Sequence, residues 1–274
     1  MASQQLVTTV VPEAPAATGR PGFWLPGATL WWRELVRFYR QRSRVAATVG
    51  TPLLFWLLIG LGFGDSFRGG PMPMSYLEYF FPGTILLVVL FTSIFSNMSV
   101  IEDRREGFLL SVLVAPISRG AVVMGKVMGG ATLAMAQGLI YVALAPLLGI
   151  RIGAGQAVEV IGILFLVSIA LTALGFYFAW RLDSVQGFHG IMNLLLLPMW
   201  LLSGALFPVA GAHSWIGWVM RANPLTYGLA ALRRVLYQPP PADAPSLAVS
   251  VGVMAGFGLL AVWAGLREVG KPSA

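Results

Sequence analysis

Apolar residues gather along this chain into long stretches separated by short polar interruptions. A bilayer core about 30 Å thick takes about 20 apolar residues as helix. The segments that meet this length are roughly Val45–Phe63, Phe81–Ile101, Ala121–Ile150, Ala157–Trp180, Phe188–Phe207 and Ser246–Leu266. The third is long enough that it must tilt or extend beyond the lipid. In hydrocarbon every backbone amide needs an internal partner, so these segments are predicted to be helices. The alternating segments of about 10 residues that mark a β-barrel are absent.

Three other segments follow a different pattern. Leu30–Arg44 reads LWWRELVRFYRQRSR. At about 100° per residue, Arg33, Arg37, Arg40 and Arg44 share one stripe, with Trp31, Leu35 and Phe38 opposite. This predicts an amphipathic helix lying at the interface, its arginines toward phosphate or acidic protein. Segment 102–120 has a charged cluster from Glu102 to Glu106, including Arg105, then Gly107, then an apolar run from Phe108 to Ala115. That run, with Phe108, Leu109 and Val112, is too short to cross a bilayer. It is expected to bury its apolar face against this chain or a partner. Pro116 follows it, and Ser118 is placed to cap the next helix. Segment 207–238 is moderately apolar but interrupted by His213, Arg221, Asn223, Pro224, Arg233 and Arg234. Charges at bilayer depth are costly, so it is predicted as two short helices dipping into the outer leaflet and joined near Asn223-Pro224. The expected fold is therefore all-α: a polytopic membrane protein with six transmembrane helices, an N-terminal interfacial helix and a re-entrant outer hairpin before the last span. Residues 1–27 are expected to form a mobile tail, and 28–274 the membrane domain.

Composition narrows the class. Of 274 residues, 57% are hydrophobic and 11% charged, against about 25% charged in soluble domains. That excludes an ordinary soluble enzyme, and the high hydrophobicity excludes intrinsic disorder. There is no cysteine, so thiolate chemistry and disulfides are excluded. The net charge of +7 is explained by topology. Arg20, Arg33, Arg37, Arg40, Arg42, Arg44, Arg104, Arg105, Arg119, Lys126, Arg181, Arg267 and Lys271 fall on one face. Arg68, Arg151, Arg221, Arg233 and Arg234 fall on the other. Basic residues concentrate on the cytosolic side, so both termini are expected in the cytosol. Nucleic acid is not needed to account for the charge.

Candidate chemistry is sparse. Gly120–Lys126 reads GAVVMGK, but Val127 stands where a phosphate-binding loop needs Ser or Thr, and no strand precedes it. Lys126 is instead expected to snorkel to the cytosolic interface. His189 and His213 fall near opposite faces and cannot share a metal. Glu159 sits near the outer end of its span. Gln137 and Asn193 are the polar neutral groups near span centres, expected as helix–helix contacts. Gly125, Gly129, Gly252 and Gly256 have small-residue spacing suited to close helix packing. No cluster suited to acid–base catalysis occurs in the spans.

The order of parts resembles the membrane subunit of type 2 ABC exporters, in the branch of daunorubicin-resistance and nodulation-factor export permeases. The likeness rests on Glu102, Gly107, Pro116, Ser118, Arg119, Gly125 and Lys126, and on Ser203, Gly204, Pro208, Asn223, Pro224, Leu225, Thr226, Tyr227 and Arg233. It implies a pair of permease chains, each with a separate ABC ATPase that carries ATP and magnesium, and no cofactor or catalytic residue in this chain. It makes Arg105–Ala115 the coupling helix toward the ATPase, with Glu102, Arg105, Glu106, Gly107, Phe108, Leu109, Val112 and Pro116 in that role. It makes Leu30–Arg44 the connecting helix, with Trp31, Arg33, Arg37, Arg40 and Arg44. Phe91, Phe95, Asn97, Asn193, Leu197 and Trp200 become candidates for the pathway lining, and the hairpin with Pro208, Asn223 and Pro224 caps its outer end. The implied activity is ATP-driven export of an amphipathic, lipid-linked or drug-like substrate by alternating access. The competing reading is an ATP-independent carrier or a scaffold.

Overall fold

The computed structural model describes residues 22–64, 74–209, 213–240 and 244–271, and, within these, not the side chain of Arg44. The expected tail lies outside the described residues up to position 21, as does Arg68. The described chain forms helices α1 (Trp24–Arg40), α2 (Arg42–Gly62), α3 (Tyr76–Arg105), α4 (Phe108–Val114), α5 (Arg119–Val142), α6 (Ala154–Arg181), α7 (Val185–Trp200), α8 (Ser214–Ala222), α9 (Pro224–Leu236) and α10 (Leu247–Val269). Among the described residues the only extended pairing is a single bridge between Gly22 and Ile117. Among the described residues six helical stretches are long and apolar enough to cross a membrane: Val45–Gly62, Tyr76–Arg105, Arg119–Leu148, Ala154–Arg181, Val185–Ala205 and Leu247–Val269. The chain is thus an all-α, multi-pass membrane protein.

Local chemistry sets the helix ends. At the start of α3 the Ser75 hydroxyl accepts from the Glu78 amide and the Glu78 carboxylate accepts from the Ser75 amide, both at 3.3 Å. This reciprocal cap satisfies two otherwise orphaned donors. Ser118 caps α5 as expected, accepting from the Ala121 amide at 3.2 Å. The third apolar segment is not one long helix: α5 ends at Val142, and a short 3-10 turn, Ala145–Leu148, completes the length. Near the end of α7, Pro198 withholds a donor, the helix widens into a π turn over Leu201–Ala205, and Gly204 takes a φ of 92°. That left-handed conformation suits glycine, which has no Cβ to clash.

α3 is the central helix, nearly all of its apolar length buried, with α2, α5, α6 and α7 around it. α10 packs on α6 and α9, and α1 lies along α5. Polar groups tie the interior together. The Thr92 hydroxyl donates to Gln137 Oε1 at 2.6 Å across α3 and α5, as expected of Gln137. Asn97 donates to the Thr172 carbonyl at 3.1 Å across α3 and α6.

Two boundaries differ from expectation. The first helix begins at Trp24 rather than Leu30 and stops at Arg40, because Gln41 leaves helical geometry (φ −92°, ψ 75°). Arg42 and Arg44 therefore belong to α2, and the arginine stripe spans two helices. Residues 24–27, assigned to the tail, are helical, and α5 approaches the helix closely from Gly27 onward. A Cβ at Gly125 would lie 2.8 Å from the Gly27 carbonyl oxygen and 2.7 Å from Leu30 Cβ, and one at Gly129 would lie 2.7 Å from Glu34 Cβ. The small-residue spacing in α5 thus serves the contact with α1. A Cβ at Gly252 or Gly256 would meet nothing within 4 Å, so the matching pair in α10 makes no such close contact among the described residues.

Gly125→Val should separate α1 from α5 and cost about 1–3 kcal/mol, the usual range for overpacking. Gly252→Val should leave the thermal unfolding midpoint in detergent unchanged.

Candidate functional site

One end of the bundle is built around charge. α1 is amphipathic, but its buried line is Leu30, Glu34 and Phe38, so a carboxylate sits within its apolar stripe. Glu34 is 3% exposed, Asp103 0% and Lys126 4%. They come from α1, the end of α3 and the start of α5. Burying a charge is costly unless it is paired and hydrogen-bonded, and here all three are. Lys126 Nζ donates to Glu34 Oε1 at 2.5 Å and also to the Asp103 carboxylate. The Ser99 hydroxyl donates to Glu34 Oε2 at 2.6 Å. Arg33 grips Asp103 with two bonds of 2.7 Å. Arg37 reaches Asp103 at 2.6 Å and Glu102 at 2.8 Å. Arg33's own hydrogen bonds to the Asp103 carboxylate hold its guanidinium above its already high range. Three cations and three carboxylates close a balanced network across three helices, the geometry in which buried ions are tolerated.

The expected snorkelling of Lys126 is corrected by this network. Its ammonium turns inward because two carboxylates wait there, and an ion pair in low dielectric outweighs the reach to water that an unpaired lysine would need. The arginine stripe of α1 is likewise turned partly inward. Arg33 and Arg37 face acidic protein, while Arg40 remains exposed. Trp31 donates to Thr132 Oγ1 at 3.1 Å, fixing α1 to α5.

The short apolar helix α4 hangs from this base. Gly107 takes a φ of 76°, which turns the chain sharply after α3 and favours glycine. Phe108 lies under the Arg33 guanidinium, 3.8 Å from its ring centroid. Leu109 and Val112 are buried against Leu30 and Val122. The segment was expected to bury its apolar face against this chain or a partner, and these two residues anchor α4 to its own chain, facing α1 and α5. The outward face carries Leu110, 64% exposed, Leu113, 40%, and Val114, 88%. Arg105, Glu106 and Pro116 border it as exposed residues. Glu102 is held by Arg37, and Glu106 approaches the same arginine at 3.8 Å.

Further bonds join α4's surroundings to the rest of the bundle. Arg104 pairs with Asp183 at 3.0 Å, and Arg105 Nε donates to the Asp183 carbonyl at 3.0 Å, tying α3 to the turn between α6 and α7. Arg119 donates to the Gly270 carbonyl at 2.7 Å, tying α5 to the end of α10. The Gly22 amide donates to the Pro116 carbonyl and the Ser118 amide to the Gly22 carbonyl, both at 3.1 Å.

At the opposite end, the Gly204 carbonyl accepts from the Tyr79 hydroxyl at 2.8 Å and from Arg233 at 2.9 Å. α8 and α9 meet at Asn223, whose side chain accepts from the Leu225 amide at 3.0 Å and donates to the Met199 carbonyl at 2.5 Å. Pro224 opens α9, and Pro208 lies in the turn after α7. Of the residues expected to line a path, Phe91, Phe95 and Asn193 are half-buried and Leu197 is exposed. Asn97 and Trp200 are corrected. Asn97 is sealed between α3 and α6, and Trp200 is buried with its indole donating to the Gly83 carbonyl at 2.7 Å. Both are held within the chain's own core and face no open path. Phe95 stacks near His189, ring centroids 5.7 Å apart. No group of three metal-ligating side chains occurs among the described residues.

The fold and this base define a multi-pass helical membrane protein with a charged base at one end. Residues 28–237 match the family model of the ABC-2 type transporter, and the chain belongs to that family. It is similar to the ycf38 protein of Cyanophora paradoxa, 28% identical over 204 residues covering 73% of this chain and 70% of that protein. It is 22% identical over 213 residues to the daunorubicin resistance ABC transporter permease protein DrrB1 of Streptomyces coeruleorubidus, covering 75% and 73% of the two chains. It is 24% identical over 220 residues to the inner membrane transport permease YadH of Escherichia coli K12, covering 77% and 82%. The chain is therefore a transport permease.

Lys126→Met should cost about 3–5 kcal/mol, because it leaves two buried carboxylates short of a cation. Adding Glu34→Gln should recover part of that loss in a detergent melting experiment. Simple additivity of the two single effects would show that the pair is not coupled.

Proposed function

We propose that this chain is the membrane subunit of an ATP-driven exporter, acting as a pair of copies, each served by a separate ABC ATPase that binds ATP and magnesium. The observation that carries the reading is the outward face of α4. Leu110, Leu113 and Val114 form an exposed apolar ridge on a helix fixed to the charged base. A ridge of this kind suits a groove in a cytosolic partner. Family membership, and the name of the DrrB1 relative as an ABC transporter permease, support an ATPase as that partner.

In this reading the charged end faces the cytosol of a prokaryotic cell, as the basic residues on that side suggest, and both termini lie there. α1 is the connecting helix at the membrane surface, and α8–α9 form the re-entrant cap at the other end. Movement of the ATPase pair pushes on α4. The ion network passes that push to α1, α3 and α5 together, and the Arg104–Asp183 contact carries it to α7. Packed helices then switch between discrete arrangements. The path forms where two copies meet, along α7 and the flank of α3, with Phe91, Phe95, Asn193 and Leu197 nearest to it. Such a lining suits an amphipathic, lipid-linked or drug-like substrate moving outward.

The test is Leu110→Asp with Val114→Asp, made together in the full chain. Both side chains are exposed, so insertion and melting should stay as in the wild type. Co-purification of an ABC ATPase from native membranes, with its vanadate-sensitive ATP hydrolysis, should fall at least about tenfold, as expected when charges enter an apolar contact. Undiminished recruitment would reject α4 as the docking element.

A further inference from the structure

At the ends of α6 and α10 lies an open groove that the transport reading does not use. It has a volume of about 220 Å³ and is lined by Tyr177 and Arg181 of α6, Trp263, Arg267 and Glu268 of α10, and Lys271 just beyond it. Three cations face one carboxylate. Glu268 is held by Arg181 at 3.1 Å and by Lys271 at 2.7 Å. Arg267 lies over the Trp263 ring at 5.3 Å, and Arg181 over the Tyr177 ring at 4.7 Å. The groove therefore carries surplus positive charge, framed by two aromatic rings.

Its position adds a second property. Along the same helix, Leu259 is 71% exposed, Leu260 66%, Trp263 57% and Leu266 39%, and α10 is one of the six apolar stretches long enough to span the membrane. A bulky apolar surface thus leads directly to a basic groove. Aromatic side chains of this kind sit at headgroup level, and basic pockets between transmembrane helices bind anionic headgroups. We propose that this groove is a binding site for an anionic phospholipid. The phosphate meets Arg267, Lys271 and Arg181, and the acyl chains lie along Leu259, Leu260 and Leu266. A free phosphate fits the charges but leaves the apolar run without an occupant, whereas a zwitterionic lipid fits the apolar run but brings its own cation into a groove already rich in them.

The bound lipid would bridge α6 and α10 where Arg119 also grips the end of α10. It would thereby steady the packing of α10 on α6. The inference rests on the chain's multi-pass character and not on the identity of any ATPase.

The test uses the purified full chain in detergent micelles or nanodiscs with lipids brominated in their acyl chains, reading Trp263 fluorescence as the difference between wild type and Trp263→Phe. Brominated phosphatidylglycerol should quench this signal at roughly tenfold lower concentration than brominated phosphatidylcholine, given the contribution of each basic residue near a charged lipid. The double variant Arg267→Gln with Lys271→Gln leaves the Arg181–Glu268 pair in place and alters exposed positions only. It should lose the preference while keeping the wild-type melting profile in phosphatidylcholine. Equal quenching by both lipids in the wild type, or a preference that survives the double variant, overturns the proposal. Displacement of phosphatidylglycerol by millimolar inorganic phosphate would overturn it in favour of a soluble-anion site. ATPase recruitment should not differ between these proteins in detergent, so failure here is separable from failure of the α4 docking reading.

Discussion

The ammonium of Lys126, shared between Glu34 and Asp103, is the contact on which the charged end of the bundle depends. Each of these three groups would be costly to bury alone. Together they hold α1, α3 and α5 at fixed spacing, and Arg33 and Arg37 close the remaining acceptor sites of Asp103. Buried ion pairs of this kind add little net stability compared with an apolar core, but they penalise every arrangement in which one partner is missing. Their effect here is to specify which helix faces which. The glycine face of α5 works with them: without the close approach at Gly125 and Gly129, Glu34 would stand too far from Lys126 to be paired.

That arrangement also explains why a seven-residue helix can be held rigidly. α4 is too short to be stable by itself, since isolated helices below about 12 residues are marginal in water. It is held from three sides: by the turn at Gly107, by Phe108 beneath Arg33, and by Leu109 and Val112 against Leu30 and Val122. Two of its faces are thus occupied by its own chain, which leaves Leu110, Leu113 and Val114 outward. A helix anchored in this way moves with the helices that anchor it.

Much of this was legible in the amino-acid sequence. Long apolar runs report helices directly, because length and hydropathy are local properties, and all six spans are helical in the structure. The cap at Ser118 and the joint at Asn223-Pro224 were also local and readable. The charged network was not, since it depends on side chains 23 and 92 positions apart meeting through helix packing. A signal was present in Glu34, which falls in line with Leu30 and Phe38, and in Lys126, which interrupts an otherwise apolar run. Both were outweighed by the general tendency of long charged side chains to reach water. The rotation of α4 was hidden for a similar reason. Six apolar residues in seven mark a helix that buries a face but do not say which side meets its own chain, so the sequence left open whether Leu109 and Val112 turn inward or toward a partner. The enclosure of Asn97 and Trp200 depends on the neighbours of α3 and α7, which no single stretch of sequence reveals.

The wide separation of Glu34 from Lys126 along the chain also has a consequence for biogenesis. A ribosome makes α1 well before α5, so the carboxylate of Glu34 emerges before its lysine, 92 positions later, is made. The nascent chain must keep α1 at the water-facing margin until α5 arrives to receive it. A truncation upstream of residue 126 removes the ammonium that pairs Glu34, while Asp103 keeps Arg33 and Arg37.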